Sequence, residues 1–120
     1  MTGSEMFKFK NWAVVGDVLN EGKFACSIAK KLERKNYNVF KVNPRSDDPR
    51  VYKSLKDIKE KIDVIDLVIS PSIGIEVVKE ACALGIDKIF IQPGAGSREI
   101  KDYCKEKGVK VYEGCVLVEL

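Results

Sequence analysis

The sequence predicts an α/β fold: one Rossmann-like domain spanning residues 1–120, with a parallel sheet flanked by helices. Three observations carry that expectation. Short apolar runs alternate with helical segments of about 10–15 residues along the chain, the pattern of βαβ units joined by right-handed crossovers. The first run, Trp12-Ala13-Val14-Val15, is apolar at every position, as a strand buried on both faces must be. At 120 residues the chain has the length of a single domain, enough to bury about two-thirds of its unfolded surface.

Each element follows from local pattern. The first strand ends at Gly16. Lys23 to Lys35 reads as a helix, with Phe24, Ile28 and Leu32 spaced four apart on its inner face. Asn38 to Val42 is the second strand. Val51-Tyr52 is expected as a short edge strand, and Ser54 as the cap of a brief helix through Lys61. Asp63 to Ile69 is the third main strand. A helix from about Ile73 to Leu84 is closed by Gly85 at C′. Lys88 to Ile91 is the next strand, and Ser97 caps a helix to Lys107 that ends at Gly108. Val109 to Tyr112 is the last clear strand, and Cys115 to Leu120 is an apolar tail that packs on the sheet or its edge. Counting the edge strand, the expected order is 3-2-1-4-5-6. The ligand crevice then lies at the carboxyl ends of the strands, where the order reverses beside strand 1.

Composition excludes several classes. Net charge is only +3, with 21 basic and 18 acidic residues closely mixed. A run such as Lys30-Lys31-Leu32-Glu33-Arg34-Lys35 reads as a solvated helix face. No single-sign stripe with interleaved aromatics marks a nucleic-acid partner. Met1 to Lys10 lacks the apolar stretch of a secretory signal, and no run approaches the roughly 18–20 residues of a membrane span. A cytoplasmic, non-membrane protein is expected. The four cysteines, Cys26, Cys82, Cys104 and Cys115, show no C-x-x-C spacing and read as reduced small hydrophobes. Histidine is absent. That argues against zinc and removes every Ser–His or Cys–His nucleophile pair, so no catalytic residue and no metal ligand is assigned.

Four loops reach the crevice. In the first, Gly16-Asp17-Val18-Leu19-Asn20-Glu21-Gly22-Lys23, the glycines stand six apart, which is neither G-x-G-x-x-G nor a Walker pattern. Backbone N–H groups at the following helix start can still hold an anion, with Lys23 adding charge. Asp17 and Glu21 repel phosphate unless they point away, and a plain connection is the alternative reading. The second is Asn43-Pro44-Arg45. Nicotinamide-binding Rossmann units usually carry Asp or Glu here, to accept from the ribose 2′-hydroxyl. An amide, a ring and a rigid guanidinium fork disfavour a free ribose diol and suit a phosphate on or near a ribose, as in NADP or coenzyme A. Asn-Pro is also a common turn starter. The third loop, Ser70-Pro71-Ser72, either borders the ligand or only ends its strand. In the fourth, Gln92-Pro93-Gly94-Ala95-Gly96-Ser97, the glycines allow a tight turn and close approach to a ligand.

At these residues the chain resembles the small stand-alone CoA-binding domain family, related to the nucleotide-binding domain of succinyl-CoA synthetase alpha subunits. The resemblance runs from about Trp12 to Glu119. It rests on Val15-Gly16, Val42-Asn43-Pro44, Tyr52-x-Ser54-Leu55, Gln92-Pro93-Gly94-Ala95 and Cys115-Val116-Leu117-Val118-Glu119. It implies CoA along the strand ends, with the pyrophosphate at the loop of Gly16, Asp17, Val18, Leu19 and Lys23. The adenosine would lie near Asn43, Pro44 and Arg45, and Ser70, Pro71, Gln92, Pro93 and Gly94 would line the rest. Where the family often has Gly-Ala-Ser and a basic residue, this chain has Gly16-Asp17-Val18-Leu19. The expected function is therefore a non-catalytic CoA or acyl-CoA binder, not an enzyme, whose partner is a small-molecule nucleotide; a protein partner or a homo-oligomer is a further expectation. The alternatives are an NADP-binding or redox-sensing domain, and an interaction module that has lost its ligand.

Overall fold

In the computed structural model, which describes residues 1–120, strand β1 (Asn11–Gly16) is buried from Trp12 onward, as its unbroken apolar run requires. It lies between β2 (Asn38–Val42) and β3 (Val64–Val68), with β4 (Lys88–Ile91) and β5 (Lys110–Glu113) completing a five-stranded sheet in the order β2-β1-β3-β4-β5. Every pairing is parallel. Residues alternate between two cores. Ala13, Val15, Ile65, Leu67, Ile89 and Ile91 face helices α3 (Pro71–Ala83) and α4 (Arg98–Lys107). Trp12, Val14, Val64 and Phe90 face α2 (Phe24–Arg34) and the last turn, α5 (Val116–Glu119).

The sheet has five strands rather than six, so the order 3-2-1-4-5-6 does not hold as written. The expected edge strand is the difference. Val51-Tyr52 contributes a single parallel bridge, Val42↔Tyr52. Tyr52 N–H donates to the Lys41 carbonyl and Asn43 N–H to the Tyr52 carbonyl, both at 2.9 Å. The next N–H on that edge, that of Arg45, turns back to Asn43 Oδ1 at 3.0 Å, so the ladder stops there.

Three helix expectations change. The inner face of α2 is Ala25, Ile28, Ala29 and Leu32, an i, i+3, i+4, i+7 stripe, whereas Phe24 is 74% exposed. Helix α3 starts at Pro71, two residues earlier than expected, because a proline at the first helical position lacks only an N–H that would be unpaired anyway. The brief helix to Lys61 is a 3₁₀ turn at Leu55–Asp57. Ser54 does not cap it; its hydroxyl donates to Glu80 of α3, whose Oε1 also accepts from Leu55 N–H at 3.0 Å. The ends of α3 and α4 are as expected: Gly85 and Gly108 take positive φ, and Ser97 Oγ accepts from Ile100 N–H at 3.1 Å.

The N-terminal helix α1 (Gly3–Met6) was not foreseen, although Thr2-x-x-Glu5 is a capping box. It packs on the α2-side face of the sheet, with Met6 in that core. Phe7 stacks on Trp12 with ring centroids 5.4 Å apart, and Trp12 Nε1–H donates to the Phe9 carbonyl at 2.8 Å. No helix is long and apolar enough to cross a membrane.

At its carboxyl end, β1 terminates in Gly16, where an added Cβ would sit 2.6 Å from the Val68 carbonyl oxygen and 3.0 Å from the Ala25 Cβ. Backbone cannot swing aside as a flexible side chain can, so Gly16→Ala is expected to cost roughly 1–3 kcal/mol. Urea denaturation reads the loss. Gly22→Ala, whose Cβ would meet nothing nearer than Asn20 Oδ1 at 3.5 Å, serves as the control and should stay close to wild type. Equal midpoints for the two variants would show that β1 and β3 have room at this point.

Candidate functional site

The carboxyl ends of β1 to β4 open on one cleft of about 630 Å³. Four loops supply its walls, as the parallel topology dictates. Asp17 and Lys23 come from the loop after β1, Asn43 and Arg45 follow β2, Ser70 follows β3, and Pro93 and Gly94 follow β4. These seven of the expected site residues meet in the cleft.

Six expected site residues do not line it. Gly16 is buried against Val68 and Ala25. Val18 is 2% exposed and belongs to the α2-side core, against which half-buried Leu19 also packs. Both are apolar residues on a loop held tight by Val18 N–H donating to the Gly16 carbonyl at 2.9 Å. Pro44 turns to a separate hollow shared with Lys53, Ile73 and Glu76. Pro71 is spent on starting α3. Gln92 is 3% exposed, and its side chain points into the protein. Sequence reasoning missed Phe24, Ala25, Val68, Ile69 and Ala95 as lining residues. For Phe24 the signal was present: the stripe that begins at Ala25 leaves residue 24 off the buried face.

The cleft is built to face negative charge. Lys23 and Ser70 are the N-cap residues of α2 and α3, and neither side chain caps its helix. The first N–H groups of α2 therefore remain free beside the cleft, whereas α3, which begins with Pro71 and whose Ile73 N–H turns back to the Ser70 carbonyl at 3.1 Å, leaves only that of Ser72; each helix start carries roughly half a positive charge. Helix α4, by contrast, is capped by Ser97. Arg45 and Lys23 enter no ion pair, whereas Lys41 lies 3.8 Å from Glu33 and Lys53 lies 2.6 Å from Asp47. Arg50 grips Asp48 with two hydrogen bonds of 3.0 and 2.7 Å, which hold that carboxyl down at about 2. Asn43 Oδ1 accepts from Arg45 N–H at 3.0 Å and fixes the turn that presents the guanidinium. Of the two acidic residues in the first loop, Glu21 turns away to Lys30 at 3.2 Å. Asp17 stays on the cleft wall, accepting from Asn20 Nδ2 at 3.2 Å.

Directly under the fourth loop, Gln92 Nε2 donates to Asp66 Oδ1 at 2.8 Å, and Gln92 Oε1 accepts from Val116 N–H at 3.2 Å. The amide thus joins β3 to the start of α5. Asp66 is fully buried and its Oδ2 has no partner. Burial pushes its carboxyl up to about 7, against the smaller opposing effect of the Gln92 hydrogen bond.

Comparison with known proteins agrees with this geometry. The family described as a CoA binding domain matches residues 10–120. The chain is 31% identical over 104 residues to an ADP-forming acetate–CoA ligase of Methanocaldococcus jannaschii; the match takes in 84% of this chain and 15% of the ligase. Among solved structures, a conserved hypothetical protein from Pyrococcus furiosus is 36% identical with a TM-score of 0.84, covering 93% of this chain and 100% of that one. A hypothetical protein from Pyrococcus horikoshii is 28% identical with a TM-score of 0.88, covering 97% of this chain and 84% of the other.

The buried carboxyl gives the fold a pH dependence with a definite sign. Asp66 keeps its proton in the folded chain up to about pH 7 but releases it near its ordinary value, 3.8, when unfolded. Between those limits the folded state holds more protons, so its contribution falls as pH rises, by an upper bound of about 4 kcal/mol. Asp66→Asn should lack this fall and gain on wild type between pH 5 and pH 8. Urea midpoints at the two pH values check it; parallel wild-type and variant profiles would show that Asp66 does not change protonation there.

Proposed function

The chain belongs to the CoA-binding domain family, and from that premise we propose that it is a non-catalytic module that binds coenzyme A, free or acylated, along the carboxyl ends of its strands. The carrying observation is the convergence of two uncapped helix starts and two unpaired cations, Lys23 and Arg45, on one cleft. Such an arrangement suits a ligand with several phosphate groups. The pyrophosphate fits the free N–H groups of α2 and the positive end of α3. Arg45 then meets the phosphate on the ribose, at the strand end where a dinucleotide-binding unit specific for NAD would offer a carboxylate. Asp17 lowers the affinity such a cleft would otherwise reach.

Two observations support a role without chemistry. None of the four cysteines lines the cleft, and burial pushes the Cys104 thiol up to about 11, far from a reactive thiolate. With no histidine in the sequence, no Ser–His or Cys–His nucleophile pair can form. The chain spans 15% of the acetate–CoA ligase it matches, and the proposal takes from that likeness only the binding of CoA.

CoA should raise the melting temperature and NAD should not. At ~100 times its dissociation constant a ligand adds roughly 2.7 kcal/mol of stability. A larger shift with NADP than with CoA would replace this reading by a dinucleotide site.

Arg45 should distinguish CoA from dephospho-CoA. A charge-assisted hydrogen bond is worth roughly 1.5–3 kcal/mol, so Arg45→Ala should weaken CoA about 10- to 100-fold and dephospho-CoA little. Calorimetry on the four protein–ligand pairs isolates the coupling, and equal losses for both ligands would place the 3′-phosphate elsewhere.

A further inference from the structure

We propose that Phe24 is the platform on which the adenine of the bound ligand stacks, an inference that rests on the CoA reading of the cleft. Four large apolar side chains are exposed, Met1, Phe24, Leu84 and Val118, and Phe24 alone among them lines the cleft. Single exposed apolar residues are ordinary. This one is set apart by its place. It is the first residue of α2, between the cation Lys23 and the packing residue Ala25, so its ring stands beside the free N–H groups of the helix start. It belongs to neither hydrophobic core. The aromatic cluster of Phe7, Trp12, Phe90 and Tyr112 is packed ring on ring on the α2-side face of the sheet, and Phe24 enters no such pair. The ring is left largely exposed, at 74%.

The chemistry of the ligand selects the occupant. The phosphates are accounted for by N–H groups and cations. Of what remains, the pantetheine arm is a flexible chain that would lose rotational freedom to cover one ring. The adenine is rigid, flat and apolar on both faces, and stacks without further ordering. It is joined to the same ribose whose phosphate Arg45 is read to hold, and Arg45 lines the same cleft as Phe24. The two residues would then grip one end of the ligand, Arg45 by charge and Phe24 by its face.

The test is calorimetry of wild type, Phe24→Ala and Phe24→Trp with two probes, CoA and adenosine 3′,5′-bisphosphate, which keeps the base and lacks the pantetheine arm. Phe24→Ala should weaken both probes by the same factor, about 5- to 150-fold, the range of base–aromatic stacking. Phe24→Trp should restore both. In NMR spectra the adenine ring protons should move upfield on binding to wild type and lose that shift with Phe24→Ala. Exposure of the side chain means that both variants should melt as wild type does. Weakened CoA with unchanged adenosine bisphosphate would move Phe24 to the pantetheine arm and overturn the proposal. CoA binding that Phe24→Ala leaves unchanged would overturn the stacking role alone. No CoA binding by wild type would overturn the CoA reading and this inference with it.

Discussion

At Gly16 a side chain would meet the Val68 carbonyl at 2.6 Å and the Ala25 methyl at 3.0 Å, so residue 16 must be without one and residue 25 must be small. Three elements close on each other there. The carboxyl end of β1 lies against that of β3, paired as Gly16↔Val68, and the first turn of α2 comes down on both. A parallel sheet needs such a crossover after each strand, and because the chain leaves a strand at its carboxyl end, the following helix begins there. How close the helix comes is set by the side chains at the contact. With glycine and alanine in place, the start of α2 reaches the sheet edge and its unpaired N–H groups open on the cleft beside Ser70.

The other side of that edge is fixed by polar groups inside the molecule. Gln92 is spent on Asp66 and on the backbone of Val116, so the residue that begins the fourth loop cannot turn outward. A buried amide with both ends satisfied holds the strand β4 exit and α5 in one geometry. The tail is held again by Lys31 Nζ donating to the Leu117 carbonyl at 3.0 Å, and by Glu119, which accepts from Cys115 N–H at 2.8 Å. Pro93 and Gly94 therefore stand on a rigid base, and the orphaned Asp66 oxygen is the cost of building it.

Charge is distributed to the same end. Much of the basic surface is neutralised locally, as at Lys30, Lys53 and Arg50. Exposed pairs of this kind add little to stability, but they leave Lys23 and Arg45 as free cations at the cleft. The contrast among helices has the same sense: α4, whose start does not line the cleft, has a serine cap, and α2 and α3, whose N-cap residues Lys23 and Ser70 do line it, have none.

Much of this was legible in the chain. Apolar runs and helical spacing identify all five strands and the helices α2 to α4, and the glycines at 85 and 108 place two helix ends, because these depend on neighbours within a few residues. The loops that meet at the strand ends follow from topology alone. Which side of a loop faces the cleft does not. Gln92 and Val18 sit in the expected loops yet point inward, because a buried carboxylate on β3 and the core beneath α2 claim them. Phe24 points outward because the stripe behind it already fills the inner face with Ala25, Ile28, Ala29 and Leu32. Val51-Tyr52 has strand-forming residues but makes one bridge, since the next N–H on its partner's edge, that of Arg45, is taken by the Asn43 side chain. Local sequence determined which segments are strands and helices and which loops converge. Only the tertiary structure decided the direction of each side chain there, because that depends on competition for space and hydrogen bonds among residues far apart in the chain.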